Sequence, residues 1–394
     1  MKYDTQTYQI TDQSRVQNIA LVIGLCGLAI SGVGWFTDGS RFYHAWLTAF
    51  LYWLSLGLAG LFFTMLHYLT AARWSVVLRR VSEGLMLQLP WLAVAFLPVL
   101  LGLHDLFHWS HEEALASDHL LKWKSAYLNA PFFVVRVAVY FAVWTALALL
   151  LRKRSLAQDA QPQLDHVAGL RKLSAGGMLL FAVTVTFAAF DWLMSLEPHW
   201  YSTIFGVYFF GGCFLSGVSL IVVICFFMRR NGILGEIITA EHYHDLGKLM
   251  FAFTIFWAYI GFSQFFLIWY GNIPEETIWY LSRWEGGWSG VSFVLLFGHF
   301  AIPFLVLIFR AVKRSPMLLG LVAAWILVMH WVDLYWLVYP TFMEQSAGVG
   351  WIEIAPVVGI GGVFVSSFWR SFSSHPLVPT GDPWLGASIK FVNH

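Results

Sequence analysis

Ten separate runs, each of about 20 mostly apolar residues, constrain this chain more than any other feature. They fall at approximately 18–36, 44–70, 84–103, 131–151, 175–196, 204–228, 248–271, 288–309, 317–339 and 353–371. A helix of roughly 20 such residues is long enough to cross a hydrocarbon core about 30 Å thick. Strands of a membrane barrel would be about half as long and would alternate in polarity. The runs do neither, so the expected fold is an all-α membrane bundle of ten helices forming one polytopic domain over 1–394. Composition closes the alternative of a soluble protein. Charged residues make up 11% of the chain and hydrophobic ones 59%, whereas a water-facing domain carries about a quarter charged residues. The 23 basic and 22 acidic side chains nearly cancel, which argues against a nucleic-acid partner and leaves lipid as the solvent.

Charge in the connections orients the spans. With alternate segments assigned to opposite sides, 18 Lys and Arg residues fall on the side of the termini and 4 on the other, with Arg136 inside a span. That bias places both termini on the cytoplasmic side, by the positive-inside rule. The N-terminal MKYDTQTYQITDQSR has mixed charge and no small-residue cleavage site, so it reads as a retained tail. The longest outer connection, 104–130, holds His104, His108, His111 and His119, and the longest inner one, 152–174, contains QDAQPQ and reads as a loop. Trp35, Trp46, Trp91, Trp192, Trp269, Trp288 and Trp351 lie near span ends, as interfacial aromatic belts do. Cys26, Cys213 and Cys225 sit in apolar runs without C-x-x-C spacing, which points to small buried hydrophobes and away from iron–sulfur or c-type haem ligation.

Spans five and nine end alike: Asp191 precedes Pro198 and Asp333 precedes Pro340, with six residues between in each case. This marks a candidate parallel repeat over 44–198 and 204–340, and repeat-built membrane proteins often place function at equivalent positions. Charged groups at membrane depth are costly and usually face a partner or a water-filled path. The candidates are Arg136, Asp191, His299, His330 and Asp333, with Gln264 as a polar companion. Arg136 and Asp191 lie at similar depth and are expected to pair, with Tyr140 on the face of Arg136. His330 and Asp333 are three apart on one helix, where the carboxylate would orient the imidazole, and His299 would continue the line toward mid-membrane. His67 and Glu83 flank the connection at 71–83 and are candidates for proton entry from the cytoplasmic side. No two histidines match in depth as a two-haem cytochrome b requires. No His, Cys or carboxylate set has metal-ligand spacing, and no phosphate loop or nucleophile motif is present, so no metal site and no catalytic residue is expected.

Three long runs carry a resemblance. FAAFDWLMSLEPHWYSTIFGVYFF (187–210), EHYHDLGKLMFAFTIFWAYIGFSQFFLIWYGNIPEE (241–276) and HPLVPTGDPWLGASIKF (375–391) resemble the smaller NrfD-like integral membrane subunit of bacterial alternative complex III, a quinol:cytochrome c oxidoreductase. The resemblance implies two four-helix bundles, spans two to five and six to nine, with spans one and ten at the periphery. It also implies a subunit without covalent or metal-ligated cofactors that contributes a quinol or menaquinol pocket, a proton path, or both. Its partners would be a larger homologous NrfD-like quinol-binding subunit, an iron–sulfur subunit and multihaem c-type cytochromes. Asp191 and Gln264 lie inside the matching runs, whereas Arg136, His299, His330 and Asp333 rest on the depth argument alone. A free-standing secondary transporter and a scaffold without its own site remain the alternative readings. The only sequence hint of a broken helix is the Gly-rich segment 358–362.

Overall fold

The structure, a computed structural model, describes residues 3–4, 8–10, 14–161, 164–344 and 346–393. The rest of the N-terminal tail and the Pro162-Gln163 part of QDAQPQ lie outside the described residues. Ten helices are long and apolar enough to cross a membrane: α1 (Ser14–Thr37), α2 (Gly39–Leu69), α3 (Trp74–Leu101), α4 (Ala130–Ala160), α5 (Val167–Leu196), α6 (Phe205–Arg230), α7 (Ala240–Gly271), α8 (Trp288–Leu307), α9 (Pro316–Thr341) and α10 (Trp351–Ser373). The protein is therefore a predominantly helical, multi-pass membrane protein. The described strands are a two-residue antiparallel pair, β1 (Tyr3–Asp4) with β2 (Gln9–Ile10).

Local chemistry starts and stops these helices. Asp38 caps α2 by accepting from the Arg41 amide (3.2 Å), and Asn129 caps α4 by accepting from Phe132 (2.9 Å), with Pro131 in the first turn. Both capping side chains satisfy amides that the first helical turn leaves unpaired. Asn272 ends α7 in a left-handed conformation (φ +48°), which asparagine tolerates better than most residues. Helices also run past their apolar cores. The expected loop 152–174 is largely helical, because α4 continues to Ala160 and the next helix begins at Leu164. Arg79, Arg80 and Arg152 thereby enter helices and are buried, so Arg136 is not the lone basic residue within a span.

Two spans are irregular, and neither is the Gly-rich one. α3 is a succession of short pieces with Pro90 and Pro98 opening the last two. α8 contains a π-helical turn over Leu295–Ala301. α10 is a continuous helix whose glycines serve packing. A Cβ on Gly27 would lie 2.5 Å from the Gly359 nitrogen, and one on Gly24 would lie 2.7 Å from the Val363 nitrogen. The helix pair α1–α10 is held by this backbone-to-backbone approach, as small-residue interfaces in membranes are.

Helices α2 and α6 form the middle of the molecule. α2 packs on α3, α5, α6, α9 and α10, while α6 packs on α5, α7 and α9 as well. α4 joins α3 and α5, and α8 joins α7 and α9. The termini meet at one end, where the Leu377 amide donates to the Tyr8 carbonyl (2.9 Å). Several expected belt residues are instead core. Trp192 is fully buried, Trp46 donates to the Ala95 carbonyl (2.9 Å) and Trp288 to the Met343 carbonyl (2.6 Å). Cys26 faces outward from α1, unlike the buried Cys213 and Cys225.

Replacing Gly27 with Leu should detach α1 from α10 and lower stability by about 1–3 kcal/mol, the cost of overpacking a filled contact. Gly32→Leu on the same helix, where a Cβ meets no neighbour within 4 Å, should leave the melting temperature in detergent unchanged.

Candidate functional site

The end of the bundle opposite the termini holds one of two groups of buried polar side chains. On α4 and α5, Arg136 grips Asp191 with two bonds, Nε to Oδ2 at 2.8 Å and Nη2 to Oδ1 at 3.0 Å. The Tyr140 hydroxyl donates to Oδ2 (2.7 Å), and Arg136 Nη1 donates to the Tyr127 carbonyl (2.8 Å). The guanidinium also lies 3.9 Å from the Tyr127 ring centroid, a cation–π contact. Asp191 is 0% exposed. Its charge is matched by a bidentate partner and both oxygens have donors, so the unit is closed and electrically neutral.

Asp333, which precedes Pro340 on α9 as Asp191 precedes Pro198 on α5, has a different environment. Its Oδ1 accepts from the Tyr208 hydroxyl on α6 (2.5 Å), and its Oδ2 accepts from the Trp257 indole on α7 (3.2 Å). No cation pairs with it among the described residues, and it is 2% exposed. The expected His330–Asp333 hydrogen bond is not formed. His330 Nε2 instead meets the Ser55 hydroxyl of α2 (2.9 Å), while Ser55 donates to the Tyr52 carbonyl (2.7 Å). Because Ser55 has one proton and spends it on Tyr52, His330 must donate through Nε2, and its Nδ1 is left bare. Spacing of three shares a helix face but does not choose the partner, and here α2 and α6 supply better-placed groups. Nδ1 of His330 and Oδ2 of Asp333 both face Gly212 of α6, where an added Cβ would lie 3.2 Å and 3.5 Å from them.

His299 sits in the π-helical turn with neither ring nitrogen bonded to a protein group. Its ring lies 4.2 Å from that of Trp257, whose indole donates to Asp333. The Gly298 carbonyl within the turn accepts from the Trp325 indole (2.7 Å). π-turns of this kind occur often at functional positions.

Beside this group, α7, α8 and the helix Pro274–Ser282 border a half-open cavity of about 1040 Å³. Tyr208 and Trp257, the two donors to Asp333, form part of its wall. Gln264 lines it too, accepting from Ser202 (2.8 Å) and donating to the Tyr280 hydroxyl (3.0 Å). Burial raises the Tyr280 hydroxyl above its ordinary range, so it stays protonated. Arg283 completes the polar wall. It pairs with Glu197 (2.7 Å) and lies 3.7 Å from the Trp279 ring centroid. Arg136 and Asp191 do not line this cavity, so the structure separates them from Gln264.

At the terminal end, His67 and Glu83 do not sit at an opening. The carboxylate of Glu83 is 0% exposed and bonded to Arg152 (2.6 Å), Ser155 (2.6 Å) and Arg80. His67 is buried, with Nδ1 against the Phe63 carbonyl at 2.7 Å. The C-terminal segment covers this end: Asp382 pairs with Arg79, and Ser388 bonds to Trp74 and Val77 of α3 (2.6 and 3.2 Å).

Sequence reasoning missed Tyr208, Trp257, Tyr280 and Arg283, together with Glu353, which binds Arg41 (2.6 and 2.9 Å) and Tyr339 (3.0 Å). An aromatic residue in an apolar run carries no signal of its hydroxyl's partner. Arg283 entered only as a loop charge. Compared with known proteins, the chain matches no protein-family model and no curated protein.

Arg136→Leu should destabilise the protein by about 3–5 kcal/mol, because it leaves the Asp191 carboxylate buried without its cation. The double change Arg136→Leu with Asp191→Leu should recover most of that loss in the same detergent unfolding assay.

Proposed function

We propose that this chain is the smaller NrfD-like membrane subunit of a quinol:cytochrome c oxidoreductase of the alternative complex III kind. It would lie in the bacterial cytoplasmic membrane with both termini in the cytoplasm. The neighbour relations of α2–α5 and α6–α9 support two four-helix units meeting at α2 and α6, with α1 and α10 alongside. Its partners are a larger homologous quinol-binding subunit, an iron–sulfur protein and multihaem c-type cytochromes, which carry the electrons. This chain contributes a route for protons near the outer face.

Asp333 is the observation that carries the reading. Asp191 is held in a bidentate ion pair with Arg136. Asp333 is held by neutral donors alone, so it can take up or release a proton without stranding a charged partner. Behind it, His330 presents a bare nitrogen on the same side of Gly212. Secondary transport is less well supported. Transporter sites use interrupted helices at corresponding positions of the two halves, and here the interruptions fall on α3 and α8, whose repeat counterparts are α7 and α4.

Extraction in mild detergent should bring c-type cytochromes and an iron–sulfur protein down with this chain, and their absence would refute the complex. In vesicles holding that complex, Asp333→Asn should slow quinol-driven proton movement about a hundredfold or more, in the range expected on losing a positioned proton acceptor. Unchanged movement would refute the proton route.

A further inference from the structure

The turn between α8 and α9, at the end of the bundle that holds the termini, combines unspent positive charge with exposed hydrocarbon. The chain leaves α8 through Phe309, whose backbone is extended, forms the short helix Arg310–Arg314, and enters α9 where the Ser315 hydroxyl accepts from the Leu318 amide (3.4 Å). Lys313 is folded inward. Its Nζ donates to the Leu307 and Ile308 carbonyls (2.5 and 3.1 Å), which places a cation on the negative pole of α8. Its stem lies on α7, where a Cβ on Gly247 would come 2.7 Å from Lys313 Cγ. That contact brings the turn against the start of α7, and the charges of Lys248, Arg310 and Lys313 all bear on the His244 imidazole.

The two carboxylates at the start of α7 are already engaged. Glu241 pairs with Arg314 (2.5 Å) and Asp245 with Lys248. Arg310 is exposed and has no ion-pair partner among the described residues. Nδ1 of His244 is buried, also without a hydrogen-bond partner among them. Both α7 and α9 begin at this end, so the positive poles of two long helices add to the excess. Immediately beside these charges the surface is apolar. Ile308, Phe309, Met317 and Leu318 are exposed, and Leu305 continues the strip along α8. A soluble anion would use the charges and leave this strip bare, whereas an amphiphile meets both.

We infer that this corner of α7, α8 and α9 binds an anionic phospholipid, whose phosphate meets Arg310 and His244 and whose chains lie on Leu305, Phe309 and Met317. Basic pockets between membrane helices recognise such head groups. A zwitterionic head brings a cation of its own and gains less from a surplus of positive charge. The bound lipid ties α7 to the α8–α9 turn next to the C-terminal segment, whose Asn393 receives from Lys248 (3.2 Å) and donates to the Glu241 carbonyl (3.4 Å). The site is independent of the quinol reading.

Native mass spectrometry of the full chain in mild detergent, titrated with dioleoyl phosphatidylglycerol or dioleoyl phosphatidylcholine, tests the site. Phosphatidylglycerol should bind in preference. Arg310→Gln should weaken its binding about fivefold, the effect of one basic residue at a lipid head, and Arg310→Lys should restore most of it. Lys153→Gln removes an exposed charge from α4 with the same change in net charge, and should leave binding as it was. Equal binding of the two lipids, or equal weakening by Lys153→Gln and Arg310→Gln, overturns the site. Glycerol 3-phosphate, a head without chains, should not displace the lipid; displacement at matching concentrations makes the corner a soluble-anion site and overturns the lipid assignment. Arg310 and Lys153 are exposed, so all three variants should melt at the wild-type temperature before lipid is added, which separates lost binding from lost folding.

Discussion

The close approach of α2 and α6 is the contact on which the rest of the molecule depends. Gly217 of α6 lies directly against Ala59 of α2, where any side chain on the glycine would collide. In lipid no hydrophobic force pulls one apolar helix onto another, so such contacts rely on close packing of small residues. Once these two helices touch, α3, α5, α9 and α10 have a surface on α2, and α5, α7 and α9 have one on α6. Ser55 on α2 and Gly212 and Tyr208 on α6 are then fixed relative to His330 and Asp333 on α9. The polar group opposite the termini exists because the central pair brings four helices to one place.

Two carboxylates at matching positions have been given different chemistry by their surroundings. Asp191 meets a guanidinium and becomes part of the scaffold. Asp333 meets a phenol and an indole, neither of which brings a charge. Burying an ion pair ties helices together, and removing either partner is expensive. Burying a carboxyl among neutral donors leaves its proton free to be exchanged. The same fold thus contains an ion-paired carboxylate and one held by neutral donors alone, and both donors to the second stand in the wall of the aromatic cavity.

The opposite end is organised by a different logic. Arg79, Arg80 and Arg152 are buried against Glu83, Asp159 and Asp382, and the last of these comes from beyond α10. The C-terminal segment therefore supplies a counter-charge as well as a cover. The basic residues that set orientation in a reading of the loops are here also structural, since their aliphatic stems and charged heads are enclosed by helices that extend past the apolar core.

Much of the fold was legible in the sequence because a membrane allows so few solutions. A run of about 20 apolar residues has to satisfy its own backbone hydrogen bonds, so it is a helix wherever it packs. Ten runs therefore meant ten spans before any contact was known, and the cost of burying charge singled out Arg136, Asp191, Asp333 and the two histidines. Pairing of Arg136 with Asp191 followed from depth alone, since opposite charges at one level in a low-dielectric medium have strong reason to meet. Choice among neutral partners did not follow. Whether Asp333 takes His330, Tyr208 or Trp257 turns on differences of a few ångströms between helices distant in sequence. The same holds for Gly359 and Gly362, which read as a possible break and proved to be a contact surface. Helices and costly charges are local properties that the sequence by itself determined. Only the tertiary structure decided which carboxylate is ion-paired, which is held by neutral donors alone and which has its donors in the wall of a cavity, because those depend on what the neighbouring helices present.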